Sequence, residues 1–205
     1  MKEKVLFVIL EQYADWEYAH LAAALQGAIQ DKTSPYEVIT VSLDRNPIKS
    51  IGGFTTIPDC GIENIPADYA GVILIGGLSW RTDGAKRIAP LVEAAFRGGK
   101  IVGAICDATV FLGMNGFLNE KRHTSNAFDD LAAAAQDNYT GKENYVIEQA
   151  GRDGNLITAN GTGYLEFTRE VLTALNAYPA DYIENNYQFF KLGIIEFMRK
   201  LEEST

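Results

Sequence analysis

The chain has 205 residues, of which 47% are hydrophobic and 22% charged, and its formal net charge is −9. This length predicts one domain spanning residues 1–205, and the composition excludes collagen-like, disordered and membrane-embedded classes. Binders of nucleic acids and anionic membranes act through basic surfaces, so the acidic balance argues against both. Small-molecule or peptide partners are favoured instead.

Two cysteines, Cys60 and Cys106, are too few to staple a secreted domain of this size. The apolar run at the start, Val5–Leu10, is too short for a signal-peptide core. No stretch approaches the roughly eighteen apolar residues that a membrane span requires. We therefore expect a cytoplasmic protein.

Predicted strands and helices alternate along the chain. Strands are predicted at Val5–Leu10, Glu37–Leu43, Val72–Ile75 and Lys100–Cys106, with a hairpin that joins Tyr145–Ile147 to Leu156–Ala159 through an Asp153-Gly154 turn. Helices are predicted at Trp16–Gln30 (with Asp15 as N-cap), Asp83–Arg97, Asp107–Asn115, Ala127–Gln136, Tyr164–Asn176 and Asp181–Leu201. Strands that are apolar at every position need helices on both faces, so the order predicts an α/β protein with a layered sheet.

The last predicted helix carries an apolar stripe. Its members are Ile183, Tyr187, Phe190, Ile194, Phe197, Met198 and Leu201. Such a stripe either covers a face of the sheet or meets a second subunit, and we expect it to cover the core.

The sharpest candidate for chemistry is Cys106, which lies between a predicted strand and a predicted helix. In layered α/β sheets, sites form beyond the carboxyl ends of the strands, and a helix N-terminus favours thiolate over thiol. Ala104 and Ala108 are small, as the nucleophile elbow of α/β-hydrolases requires, with Cys where that motif has Ser. An inert buried cysteine is the alternative, and it is our interpretation of Cys60.

Four segments resemble the ThiJ/PfpI family, which groups intracellular cysteine peptidases with the Parkinson-associated deglycase. They are YADWE ending at Glu17, ILIGG at Ile73–Gly77, GAICDATVFLG at Gly103–Gly113 and NLITANGTGYLEF at Asn155–Phe167. The resemblance implies a glutamine-amidotransferase-like, flavodoxin-like three-layer sandwich with a mainly parallel central sheet, assembled as a homodimer. No cofactor is expected, and no His or Cys cluster has the spacing of a metal site.

The resemblance also implies roles for individual residues. Cys106 would be the nucleophile, and Glu17 would lie beside its sulfur with a raised pKa and donate a proton. Backbone N–H groups of Gly76 and Gly77, with those around Asp107, would form an oxyanion hole.

The sequence departs from the family at the position after the cysteine. Peptidase members have histidine there, whereas this chain has Asp107, whose charge should raise the pKa of the cysteine. A possible base is His123, reaching the thiol from its loop. Asn126 occupies a position where some family members carry a histidine.

We therefore expect an enzyme, a cysteine-dependent hydrolase acting as a protease or amidase through Cys106. One alternative is a glyoxalase or deglycase that acts on 2-oxoaldehydes without glutathione, which the missing histidine favours. Another is a non-catalytic redox or stress-response module in which Cys106 is oxidised.

Overall fold

The computed structural model describes residues 2–27 and 34–203. The strands are β1 Glu3–Val8, β2 Tyr36–Ser42, β3 Ile48–Lys49, β4 Thr55–Thr56, β5 Cys60–Gly61, β6 Gly71–Leu74, β7 Ile101–Ile105, β8 Ala150–Asp153 and β9 Leu156–Ala159. The α-helices are α1 Asp15–Leu25, α2 Ala89–Arg97, α3 Asp107–Met114, α4 Phe128–Ala135, α5 Tyr164–Ala174, α6 Ala180–Leu192 and α7 Ile194–Glu203.

Seven strands form the central sheet in the order β5-β2-β1-β6-β7-β9-β8. Every neighbouring pair is parallel except β8 and β9, which form the antiparallel hairpin. The predicted mainly parallel sheet is therefore confirmed. β3 and β4 pair separately within the glycine-rich excursion between β2 and β6.

Alternate residues of the central strand β1 face two separate apolar layers. Val5 and Phe7 lie in a core shared with α1 and α5, whereas Leu6 and Val8 lie in a core shared with α2, α3 and α4. Both faces of β1 are thus covered by helices, which explains why its sequence is apolar without alternation. None of the described helices is long and apolar enough to cross a membrane.

Several element boundaries differ from the predictions. Asp15 is the first residue of α1 rather than its N-cap, and its Oδ2 accepts a hydrogen bond from the Gly52 N–H at 2.7 Å. α1 ends at Leu25, and Gln26 and Gly27 form a turn rather than the predicted extension of the helix, whose residues 28–30 fall outside the described residues. The predicted helix Asp83–Arg97 begins as a 3-10 turn before α2.

The predicted hairpin turn is confirmed, but its first strand is displaced. Asp153 pairs directly with Leu156, so the two residues of the turn are Gly154 and Asn155, and the strand before the turn is Ala150–Asp153. A two-residue turn pairs the residues that flank it, so Tyr145–Ile147 lies too far from the turn to join the ladder.

The prediction of one long C-terminal helix that covers the core is wrong. Gly193, with φ +79°, separates α6 from α7. Of the predicted stripe, Ile183 is buried, whereas Ile194 and Met198 are 61% and 49% exposed. Periodicity alone does not show whether an apolar stripe reaches the sheet.

Two truncations test this difference between α5 and α7. Leu172→Ala in α5 removes a side chain that is 1% exposed and should lower the free energy of unfolding by about 2–5 kcal/mol. Met198→Ala in α7 should change it by less than about 0.5 kcal/mol, because its side chain is half exposed. Urea denaturation measures both, and equal losses would show that the α7 face is covered in solution.

Candidate active site

The candidate site lies at the carboxyl ends of the central strands. Cys106 directly follows β7, Gly76 lies two residues after β6, and Glu17 lies in the first turn of α1, after β1. Gly161, after β9, completes the group, since a Cβ atom on it would lie 3.1 Å from both Cys106 Sγ and Glu17 Oε1. Four neighbouring strands therefore bring these residues together.

The backbone of Cys106 is held in an unusual conformation, with φ 59° and ψ −130°. For a residue with a side chain this geometry costs about 1–3 kcal/mol and persists only where the surroundings fix it. Here the Cys106 N–H donates to Ala159 O at 2.9 Å, and the Cys106 carbonyl accepts from Thr109 N–H and Oγ1 at 3.0 and 2.6 Å. The predicted sharp elbow between strand and helix is present.

Glu17 is a carboxyl group placed inside the protein, with 1% of the residue exposed. Its Oε2 accepts a hydrogen bond from the Gly76 N–H at 2.8 Å, whereas its buried Oε1 has no hydrogen-bond partner among the described residues. Burial raises the pKa of Glu17 from 4.5 to about 7, although the Cys106 thiol and the Gly76 N–H oppose the shift.

The same burial raises the pKa of the Cys106 thiol to about 11, and the negative charge of Glu17 adds to the shift. The Asn126 amide and the Asp107 N–H lower it only in part. The preference for thiolate that was expected at the helix N-terminus is therefore outweighed by burial. Because the Glu17 charge opposes ionisation of the thiol, a thiolate is favoured when its proton passes to Glu17.

Only glycine fits at positions 76 and 77, because neighbouring atoms occupy the space that a side chain would need. A Cβ atom on Gly76 would lie 2.3 Å from Glu17 Oε2, and one on Gly77 would lie 2.4 Å from Gln12 O. The Gly76 N–H is already donated to Glu17, which corrects its predicted availability for an oxyanion. The Gly77 N–H has no acceptor in the part of the chain that the structure describes.

Asp107 points its carboxylate at an arginine. Arg81 Nε donates to Asp107 Oδ1 at 2.9 Å, and its two terminal nitrogens donate to Asp130 at 3.0 and 2.6 Å. The predicted rise in the cysteine pKa is found, but burial and Glu17 cause it rather than the Asp107 carboxylate. Nothing in the sequence near Cys106 indicates Arg81, because it lies 26 residues before Asp107.

His123 does not reach the thiol, which corrects its interpretation as a possible base. Its side chain is fully buried, with Nδ1 2.6 Å from Lys121 O and Nε2 2.6 Å from Tyr139 Oη. Asn126 Nδ2 instead lies 3.1 Å from Cys106 Sγ. Among the described residues, no group of three His, Cys, Asp or Glu side chains could hold a metal ion.

The fold and the site describe an α/β protein with a cysteine on a strained elbow beside a buried glutamate. A model of the DJ-1/PfpI family matches residues 3–174 of the chain. The chain belongs to the DJ-1/PfpI family. The helices α6 and α7 lie beyond the matched residues.

Proteins that are similar over nearly the whole chain are named as members of this family or as proteases. The chain is 40% identical over 199 residues to a Bacillus subtilis protein named uncharacterized protease YdeA, covering 97% of this chain and 96% of the relative. A ThiJ/PfpI family protein from Bacillus anthracis is 30% identical with a TM-score of 0.89, covering 100% of this chain and 97% of that one. A DJ-1 superfamily protein from Agrobacterium tumefaciens is also 30% identical, with a TM-score of 0.81 over 92% of this chain and 97% of that one.

The raised pKa of Glu17 predicts a dependence of stability on pH. Because the folded state holds the Glu17 proton more tightly than the unfolded chain, the stabilisation is complete below pH 4.5 and is lost as pH rises to about 7. Glu17→Gln keeps a neutral side chain, so above pH 7 it should be more stable than the wild type by on the order of 3 kcal/mol. Denaturation in urea from pH 4 to 8 measures the difference.

Glu166→Gln is the matched control for this experiment. Burial acts to raise the pKa of Glu166, but hydrogen bonds from Lys191 and Tyr187 lower it overall. The neutral variant should therefore be less stable than the wild type at pH 7, the opposite sign to Glu17→Gln. A Glu17→Gln variant that is no more stable at pH 8 than the wild type would contradict the raised pKa.

Proposed function

We propose that this protein is a cysteine-dependent hydrolase in which Cys106 Sγ attacks a carbonyl carbon and Glu17 transfers the proton. The observation that carries the proposal is the pairing of a thiol on a strained elbow with a buried carboxyl whose pKa is near 7. A group with a pKa near the working pH can both take and return a proton. The protease names of the Bacillus subtilis relatives favour an amide as the bond that is broken.

In the first half of the proposed reaction, the thiol proton passes to the Glu17 carboxylate as Sγ bonds to the carbonyl carbon. The electron pair of the carbonyl double bond moves to oxygen, where the N–H groups of Gly77 and Asp107 are the donors that we assign. Glu17 then returns its proton to the leaving nitrogen as the carbon–nitrogen bond breaks. A thioester on Cys106 remains.

In the second half, water attacks the thioester carbon and its proton passes to Glu17. The carbon–sulfur bond breaks, the carboxylic acid leaves, and the proton returns to Sγ. The cycle consumes one water and needs no oxidant or cofactor.

The surroundings of the thiol favour a small-molecule or peptide substrate with apolar groups. Trp16 and Leu78 are 48% and 67% exposed, and each adjoins a residue of the site in sequence. Trp16 is also fixed to the site by its Nε1–H, which donates to Gly161 O at 2.9 Å. An apolar side chain of the substrate would cover these two surfaces.

Hydrolysis of a panel of fluorogenic peptide amides and small amides tests the proposal. The wild type should release product from at least one substrate, Cys106→Ala should abolish release, and Glu17→Gln should slow it at least about 100-fold. The rate should rise with pH through about 7, as Glu17 becomes able to accept the proton. Cys60→Ala is the matched cysteine control and should retain wild-type activity, because Cys60 lies in the edge strand β5.

Two results would reject the hydrolase. One is a wild type that cleaves no amide and shows no acyl adduct on Cys106 by intact mass spectrometry. The other is product release that survives Cys106→Ala.

A second candidate is the conversion of a 2-oxoaldehyde to a 2-hydroxy acid. Two observations favour it. The Glu17 carboxyl lies beside the thiol, and His123 does not act as a base on the thiol because its ring nitrogens contact Lys121 and Tyr139. Sγ would add to the aldehyde carbon as the thiol proton passes to the aldehyde oxygen. Glu17 would then move one proton from that carbon to its neighbour, while the hydroxyl proton passes to the former ketone oxygen. The aldehyde carbon is oxidised and the ketone carbon reduced, and water then releases the acid from the thioester.

Lactate formation from methylglyoxal distinguishes this candidate from the hydrolase. If the 2-oxoaldehyde is the substrate, the wild type forms lactate, both Cys106→Ala and Glu17→Gln lose this activity, and amides stay intact. Absence of lactate with the wild type rejects the second candidate. A protein inactive in both assays would favour the redox module, in which Cys106 is oxidised before Cys60.

The homodimer and the cytoplasmic location remain predictions from the resemblance and the composition. Both cysteines are free, which suits a reducing compartment. Phe54, Ile57 and Ile195 are 70%, 63% and 84% exposed and would suit an apolar contact between subunits.

A further inference from the structure

The side chain of Asn126 bridges the sulfur of Cys106 and the backbone of Gly161. Its Nδ2 lies 3.1 Å from Cys106 Sγ, and its Oδ1 accepts a hydrogen bond from the Gly161 N–H at 2.8 Å. The Glu17 carboxyl also interacts with this sulfur, but its interaction raises the pKa of Cys106, whereas the hydrogen bond from Asn126 lowers it.

The orientation of this amide follows from its second partner. A backbone N–H can only donate, so the oxygen of Asn126 must face Gly161 and the NH₂ group must face the sulfur. Gly161 is itself anchored, because its carbonyl accepts a hydrogen bond from Trp16 Nε1–H at 2.9 Å. The amide therefore presents a donor, and never an acceptor, to Cys106.

We propose that Asn126 is a catalytic residue that stabilises the thiolate of Cys106 by donating a hydrogen bond to its sulfur. The proposal rests on the Cys106 nucleophile of the proposed function. A donor stabilises an anionic acceptor more strongly than a neutral one, so the hydrogen bond favours thiolate over thiol. An amide cannot take up a proton at neutral pH, so Asn126 holds the negative charge while Glu17 carries the proton.

The loop that carries Asn126 is held in place by other hydrogen bonds. The Thr124 N–H donates to Thr158 Oγ1 at 2.9 Å, and Ser125 Oγ lies 2.6 Å from Thr109 Oγ1. Substitution of Asn126 should therefore leave the loop folded. A change in the reactivity of the sulfur on substitution of Asn126 would then report the lost hydrogen bond and not an unfolded loop.

The test is the rate of Cys106 alkylation by iodoacetamide between pH 6 and 11, measured by intact mass in a Cys60→Ala background. Asn126→Asp keeps an oxygen for the Gly161 N–H but removes the donor to the sulfur. Asn126→Ala removes both partners without adding charge. Both variants should react at least about tenfold more slowly than the parent at pH 8.

Asn160→Ala is the matched control. Asn160 Oδ1 accepts hydrogen bonds from Thr162 in the Gly161 loop but has none with the sulfur. Its alkylation profile should match the parent within about twofold. Circular dichroism of each variant establishes that it is folded, and Asn126→Leu, which also adds no charge, decides the question if Asn126→Ala unfolds.

An alkylation profile of Asn126→Asp that matches the parent would overturn the proposal, and so would an equal loss with Asn160→Ala. Alkylation needs no turnover, so its outcome does not depend on the hydrolase. A shifted profile in a protein without hydrolytic activity would reject the proposed function and keep the role of Asn126. Unchanged alkylation in an active hydrolase would reject the role of Asn126 and keep the proposed function.

Discussion

The burial of the Glu17 carboxyl beside the Cys106 thiol is the constraint on which the rest of the site depends. Water is excluded from Glu17, so its charge is costly and its pKa rises to about 7. Among the described residues, the backbone donor that reaches the carboxyl is the Gly76 N–H. Close approach of this backbone is possible because neither Gly76 nor Gly161 has a Cβ atom, which would meet Glu17 at 2.3 and 3.1 Å. The strained backbone of Cys106 then places the thiol beside the Glu17 carboxyl.

In the proposed mechanism, a carboxyl rather than an imidazole carries the proton of the thiol. Asp107 is held by Arg81, which also holds Asp130 in a second carboxylate contact. The charge beside Cys106 is therefore hardly felt at the sulfur, whose pKa is raised by burial and by Glu17. In the proposed mechanism, proton transfer falls to Glu17 and stabilisation of the anion to Asn126. This division fits the sequence, which has aspartate rather than histidine directly after Cys106.

The sheet and the centre of the site could be predicted from the sequence, because strands covered on both faces are apolar throughout and their carboxyl ends converge. Cys106, Glu17 and Gly76 come together for that reason. The contacts of Arg81 and Asn126 could not be predicted, since they join segments that are distant in sequence and show no periodic pattern. The direction of the His123 ring could not be predicted either, because sequence position does not reveal which way a side chain points. The exposed face of α7 was missed because a stripe has the same spacing whether or not it is covered.

A titration of Glu17 itself tests most directly whether it carries the proton of the site. In protein labelled with ¹³C at the glutamate carboxyl carbon, comparison with Glu17→Gln assigns the Glu17 resonance, and its shift is followed from pH 3 to 10. A midpoint near pH 7 is predicted, because burial favours the neutral carboxyl. A midpoint near 4.5, the ordinary value, would contradict the role of Glu17 as the proton carrier beside Cys106.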